Sequence, residues 1–296
     1  MSLTFLQKRS LTPEHFLLSR RLTTGYLQGY NLAESVQTTQ REAKEWFSGV
    51  RSYLRFLNNR RLDTRFSVFP GWREVLMIST LVILISVASA VFLDPLYLSW
   101  YEYEIALRLS IFGPITTLGN SIWTLLLCGT GLLVLSFFRS DRFKGAKYVS
   151  WHRALLTFYF IFTNVALSGL TAVFLKNLIG KARPQYALYT ENIHLWTFMP
   201  FEDKYAFAAF PSGHATTAGA MIAACWILFP RWGWLMIPVG LWVAVSRAAI
   251  GVHYPSDVIA GVLFGFVFTW FYARAFARKR LIFMFDDKGK LCIRGN

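Results

Sequence analysis

Three short stretches of this chain hold the side chains that polar chemistry needs. In KNLIGKARP, 176–184, Lys176 and Arg183 stand seven apart and Pro184 follows. If helix continues to Arg183, the two cations share nearly one face, two turns apart, and Pro184 then stops regular helix. In AAFPSGHATTAG, 208–219, Pro211, Ser212, Gly213 and His214 stand directly before an apolar run. In SRAAIGVHYPSD, 246–257, Ser246 and Arg247 precede His253, and Asp257 lies four residues further on. These residue types suit the handling of an anion. Lys176, Arg183 and Arg247 can surround a phosphoryl group, Arg through a planar fork and Lys as a point charge. Ser212 and Gly213 fall where a helix begins, so unpaired N–H groups and the positive end of the dipole face outward. Of His214 and His253, one can attack phosphorus and the other can protonate the leaving oxygen. Asp257 can hold one ring nitrogen of His253 protonated and leave the other as a nucleophile.

Each piece alone has a plainer reading. Lys and Arg at a membrane edge snorkel. A Ser before a helix is a common N-cap, and so is an Asp in its first turn. A His at that depth is often a satisfied interfacial residue. The elements that must carry the three clusters decide between these readings.

Of the 296 residues, 54% are hydrophobic and 17% aromatic. The apolar residues come in long blocks with few charges, as in membrane proteins. Six blocks read as transmembrane helices, at 75–93, 119–138, 154–175, 214–230, 233–250 and 257–276. The expected fold is an all-α, six-helix membrane bundle. A basic N-terminal region, 1–74, precedes the bundle, 75–276, and a short tail, 277–296, follows it. The net charge is +15. With the N-terminus in the cytoplasm, all Lys and Arg fall inside except Arg108, Lys176, Lys181, Arg183, Lys204 and Arg247. Membrane topology thus accounts for the charge, and no nucleic-acid partner is expected. The three clusters all fall on the outer face, which otherwise avoids cations. Ionisable groups at a membrane edge are functional suspects by default.

No cleavable signal peptide is visible. Trp46, Val50, Tyr53, Leu54 and Leu57 recur at helical spacing, with Arg41, Lys44, Arg51 and Arg55 off that stripe. This reads as an amphipathic helix on the anionic inner leaflet, with a partner-protein contact as the rival reading. The segment 94–118, with Asp94, Glu102, Glu104 and Arg108, is expected to lie along the outer interface. The tail LIFMFDDKGKLCIRG, 281–295, alternates around a turn and suits a small hairpin. Cys128, Cys225 and Cys292 read as free thiols. GVLFG, 261–265, puts two glycines four apart, which permits close helix packing within the bundle.

The pattern K-x6-R-P, then P-S-G-H, then S-R-x5-H-x3-D resembles the type 2 phosphatidic acid phosphatase superfamily, also called lipid phosphate phosphatases. Lys176, Arg183-Pro184, Pro211-Ser212-Gly213-His214, Ser246-Arg247, His253 and Asp257 supply every fixed position. The match covers about 176–257 and leaves the first 70 residues outside. The resemblance implies that His253 is the nucleophile that forms a phosphohistidine and that Asp257 orients it. His214 then protonates the leaving alcohol and helps activate water. Lys176, Arg183, Arg247, Ser212 and the Gly213 amide hold the phosphoryl oxygens. No metal or other cofactor is expected, since fixed cations can stabilise the transferring group and no cluster has metal-ligand spacing.

The expected partner is a membrane lipid substrate, met at the periplasmic side of a bacterial inner membrane with both termini cytoplasmic. Candidates are lipid A phosphate, undecaprenyl pyrophosphate, phosphatidylglycerol phosphate and phosphatidic acid. The aromatic loop 185–210 is either a specificity element or an interfacial lid. Two other functions are carried: phosphotransfer between lipids, and a catalytically silent lipid-binding protein or flippase. No motif specifies an oligomeric state.

Overall fold

The computed structural model describes residues 40–41, 44, 46–48, 51, 55, 59–101, 105–137, 145–190, 194–202 and 204–294. The chain divides into two compact units, Met1–Phe56 and Leu57–Asn296. The described residues of the first unit are helical. Val50, Tyr53, Leu54 and Leu57 of the amphipathic stripe lie outside the described residues.

The second unit is a helical bundle. Its helices are α1 (Trp72–Trp100), α2 (Ile105–Leu118), α3 (Ser121–Phe137), α4 (Ala146–Ile179), α5 (Pro184–Tyr189), α6 (Gly213–Leu228), α7 (Met236–Ala249) and α8 (Pro255–Arg278). Two strands, β1 (Phe283–Phe285) and β2 (Leu291–Ile293), then form the antiparallel hairpin expected of the tail. Every expected span falls on a helix. Among the described residues, four helical stretches are long and apolar enough to cross a membrane: Trp72–Trp100, Arg108–Phe137, Ala146–Ile179 and Pro255–Arg278. Gly213–Leu228 and Gly233–Ala249 are apolar but shorter. The lipid-facing character is plain on α1, where Leu81, Ile83, Leu84 and Val87 are each more than half exposed. A water-soluble fold would bury such a run. The protein is an integral membrane protein.

The segment 94–118 is largely helical: α1 continues through Pro95 to Trp100, and α2 occupies 105–118. Glu102 and Glu104 lie outside the described residues. The span expected over 75–93 stops short of Asp94, whereas helix α1 runs past it. Here Asp94 is wholly buried and pairs with Lys181 at 2.8 Å, so the helix carries its charge inward.

Two glycine features seat the outer end of the bundle. Gly180 stops α4 in the left-handed conformation (φ 63°), where its N–H donates to the Lys176 carbonyl at 2.8 Å. A Cβ there would lie 1.9 Å from the Met199 carbonyl oxygen. Helix therefore does not continue to Arg183, which occupies an extended stretch past the cap. Gly261 and Gly265 let α8 press on α6: added Cβ atoms would lie 2.6 Å from the Ser212 oxygen and 2.1 Å from the Thr216 oxygen. The GVLFG glycines thus serve packing between these two helices of the bundle. Their contact brings the N-termini of α6 and α8 together, and the Ser212 N–H donates to the Asp257 carbonyl at 3.0 Å. Deeper in, Asn164 on α4 donates to Thr269 on α8 at 2.9 Å. Cys128, Cys225 and Cys292 are free.

Candidate active site

The chain after α4 is stitched rather than loose. Ala182 N donates to Thr197 O at 3.0 Å, Arg183 N to Ala206 O at 2.8 Å, and Ala209 N to Lys181 O at 3.1 Å. Much of the aromatic loop is therefore docked on residues 180–183. Lys176 stays in the last turn of α4 and points at the start of α6. A Cβ added to Gly213 would stand 3.6 Å from Lys176 Nζ, an ordinary contact, so the ammonium lies beside the helix N-terminus. Ser212 is fully buried and caps α6, its Oγ accepting from Ala215 N at 3.5 Å.

The structure brings the expected residues together. Lys176 lies in the field of Arg183, Arg247 and Asp257. His214, in the first turn of α6, lies in the field of Arg247, Lys176 and Arg183. His253 lies beside Asp257 and in the field of Arg183 and Lys176. Four elements contribute: α4 and the stretch after it, the start of α6, the end of α7, and the α7–α8 connection with the first turn of α8.

The three cations differ in what they have free. Lys176 Nζ has no hydrogen bond or ion pair among the described residues. Arg247 donates from Nη1 to Thr116 Oγ1 at 2.7 Å, and its buried Nε has no partner. Arg183 is heavily engaged. Its Nε donates to Tyr205 O at 2.9 Å, Nη1 to Val252 O at 3.1 Å and Nη2 to Ala208 O at 3.1 Å. Its guanidinium also stacks on the Tyr205 ring, 3.7 Å from the centroid. Of the five guanidinium N–H groups, three are spent on carbonyls and one remains on each Nη. Arg183 therefore clasps loop 205–208 to residue 252, next to His253, as well as adding positive charge. Ser246 is wholly buried and donates to Val243 O at 2.6 Å within α7.

His253 has a side chain 2% exposed, with Nδ1 3.7 Å from Asp257 Oδ2. That separation exceeds a hydrogen bond, and Nδ1 has no other partner. The ring has its proton affinity pushed well below the ordinary imidazole range, to about 3. Burial is the first cause; Asp257 opposes it, and Arg183 and Lys176 reinforce it. A neutral imidazole keeps a free lone pair, which a nucleophile requires. Asp257 is wholly buried. Its Oδ2 accepts from Tyr254 N at 2.9 Å and its Oδ1 from Lys181 Nζ at 2.9 Å.

Several site residues escape sequence reasoning. Thr116 holds Arg247 from α2. Tyr205 stacks on Arg183 and lies in the field of Arg247. Lys181, Asp94 and Ser256 form a buried group behind Asp257. Lys181 was visible as one of six outer-face cations; the others left no signal of spacing.

The comparisons with known proteins fall on the same part of the chain. The PAP2 superfamily profile matches residues 154–281. A lipid A 1-phosphatase of Rhizobium etli is 39% identical over 180 residues, which is 59% of this chain and 74% of that protein. A decaprenylphosphoryl-5-phosphoribose phosphatase of Mycobacterium tuberculosis is 36% identical over 96 residues, 32% of this chain and 47% of that one. Among solved structures, a transmembrane PAP2-type phosphatidylglycerolphosphate phosphatase from Bacillus subtilis aligns with a TM-score of 0.42 at 18% identity. That alignment covers 67% of this chain and 92% of the other.

Proposed function

The chain belongs to the PAP2 superfamily, and from that premise we propose that it is an integral-membrane phosphatase that hydrolyses a lipid phosphate through a phosphohistidine at the outer face of the bilayer. The observation that carries this reading is the setting of His253. A neutral imidazole lies beside a buried carboxylate and in the field of cations that have donors to spare.

The roles follow from the donors available. Lys176, the free N–H groups of Arg247 and Arg183, and the amides at the start of α6 receive the phosphoryl oxygens. His253 Nε2 attacks phosphorus. The bond from phosphorus to the lipid oxygen breaks and its electron pair leaves on that oxygen; His214, protonated once the bound phosphate anion offsets Arg247, Lys176 and Arg183 beside it, supplies the proton. The His253 ring now bears positive charge with its proton on Nδ1, which Asp257 accepts. To become a hydrogen bond, the 3.7 Å separation must close by about 0.8 Å, an ordinary tightening on substrate binding. Water then attacks phosphorus and gives a proton to His214. The N–P bond breaks, returning its pair to Nε2. The positive charges are fixed in the protein, so the scheme needs no metal ion.

The depth of the site suits a lipid. Helix α6 has 16 residues and rises about 24 Å, short of the ~30 Å hydrocarbon core. A headgroup at the interface therefore meets His214 while its tails stay in the bilayer. The charge asymmetry of the loops supports the periplasmic face of a bacterial inner membrane. Lipid A phosphate is the first candidate substrate, because the likeness to a lipid A 1-phosphatase extends over 180 residues. Phosphatidylglycerol phosphate, undecaprenyl pyrophosphate and phosphatidic acid complete the panel.

The test is release of inorganic phosphate by purified protein from these four lipids, with chelator present and with His253→Ala alongside. Release from one lipid that persists in chelator and is absent in the variant is expected. Loss of activity in chelator would refute the metal-free scheme. Phosphate appearing on an acceptor lipid instead of free would make the protein a transferase.

A further inference from the structure

Behind His253 and Asp257 lies a closed group of charges that the reaction scheme does not use. Lys181 is 3% exposed, and its ammonium has three N–H donors. All three are spent: on Asp94 Oδ2 at 2.8 Å, Ser256 Oγ at 2.9 Å and Asp257 Oδ1 at 2.9 Å. The ammonium also lies over the Tyr254 ring, 4.4 Å from its centroid. Ser256 Oγ donates to Asp94 Oδ2 at 2.6 Å, and Ser256 N to Asp94 Oδ1 at 3.0 Å. Asp94 and Asp257 are both wholly buried. A buried ionic group costs desolvation that its pairing only partly returns, so stability alone is a weak reason to have one.

The arrangement has two consequences for Asp257. Its carboxylate is held at both oxygens by donors other than His253, so its plane is set before substrate arrives. The charge count matters as much. Lys181 alone beside Asp257 would cancel the carboxylate that His253 needs when its ring becomes cationic. Asp94 cancels Lys181 instead. Two carboxylates and one ammonium leave one net negative charge, and Asp257 is the member that faces His253. Resting on the phosphohistidine reading above, we infer that Asp94 and Lys181 are positioning residues for phosphoryl transfer: Lys181 fixes the Asp257 carboxylate, and Asp94 keeps that carboxylate's charge available to the phosphorylated His253 ring.

Charge-restoring substitution separates this role from a structural one. Asp94→Asn makes the group neutral. Lys181→Met leaves two carboxylates crowded together, which favours a proton on one of them. The double variant Asp94→Asn/Lys181→Met returns the group to one negative charge, on Asp257. Initial rates on the lipid that the wild type hydrolyses would be measured for all three, with His253→Ala as the control. Stabilisation of each protein by orthovanadate, a phosphate-shaped anion, would report that the anion site is folded. Each single variant is expected to lose about tenfold or more in kcat, with KM within about twofold and vanadate stabilisation retained. The double variant is expected to exceed both singles in kcat while the melting temperatures of all three stay close together; a purely structural group would show the same non-additivity in melting temperature. Single variants with wild-type kcat would overturn the inference. So would a double variant no better than the worse single, with melting temperatures falling in step. Wild-type activity in His253→Ala would instead refute the phosphohistidine reading, and the inference with it.

Discussion

Arg183→Lys keeps the positive charge at the site and removes the fork. Arg183 makes three hydrogen bonds to carbonyls, at Tyr205, Val252 and Ala208, and stacks on the Tyr205 ring. Lys has one nitrogen, so it can keep at most the part of this pattern that a single point can reach. Two charge-assisted bonds at about 1.5–3 kcal/mol each bound the loss at roughly 3–6 kcal/mol. Relaxation of the loop and hydration of the freed carbonyls return part of that, which leaves about 2–4 kcal/mol. For a unit of this size, about 2–4 °C accompanies each kcal/mol, so the melting temperature in detergent should fall by roughly 4–16 °C. Because Val252 O precedes His253, kcat should fall as well. Thermal unfolding and steady-state kinetics on one preparation give both quantities. If Arg183→Lys melted within about 2 °C of wild type and only KM rose, Arg183 would be a plain phosphate fork and the clasp argument would be wrong.

The remaining expectations concern other parts of the site. Thr116→Val removes the acceptor that holds Arg247 Nη1 at 2.7 Å; KM should rise severalfold with little change in melting temperature, as steady-state kinetics would show. Gly265→Val would drive a side chain into the Thr216 carbonyl of α6; overpacking of this kind costs about 1–3 kcal/mol or more, readable as a lower melting temperature and a smaller active fraction. His253 makes the protein acid-sensitive. Its proton affinity is lowered in the fold, so below the unfolded value of 6.5 the unfolded chain binds a proton that the native site refuses. Stability should therefore fall as pH drops from 6.5 toward 3, by roughly 1–2 kcal/mol by pH 5. His253→Gln should flatten that part of a melting-temperature series against pH.

How far the sequence could be read depended on how each feature is encoded. Lys176, Ser212, Gly213, His214, Arg247, His253 and Asp257 lie within local runs whose spacing shows on a helix or at its end. The apolar blocks announced their helices for the same reason. The supporting residues are different. Asp94 meets Ser256 across 162 positions and Thr116 meets Arg247 across 131. Such pairs leave no period, and a charge inside an apolar block reads as the end of a span. Asp94 therefore falls outside the first expected span, although α1 includes it and buries it. Arg183 shows a further limit: its type and spacing fit a phosphate fork, but its partners are peptide carbonyls, which every residue has. The break at Gly180 is local, a left-handed glycine cap bonded to the Lys176 carbonyl, and the expectation of continued helix to Arg183 passes over that glycine.

The most direct test of the account is to mix the protein with the lipid it hydrolyses, labelled at phosphorus, and quench in alkali within a turnover. Mass spectrometry then locates the label. The expected result is an acid-labile, alkali-stable phosphoryl group on His253 that is absent from His253→Ala. Full single-turnover hydrolysis without phosphoprotein, or label on another residue, would contradict it.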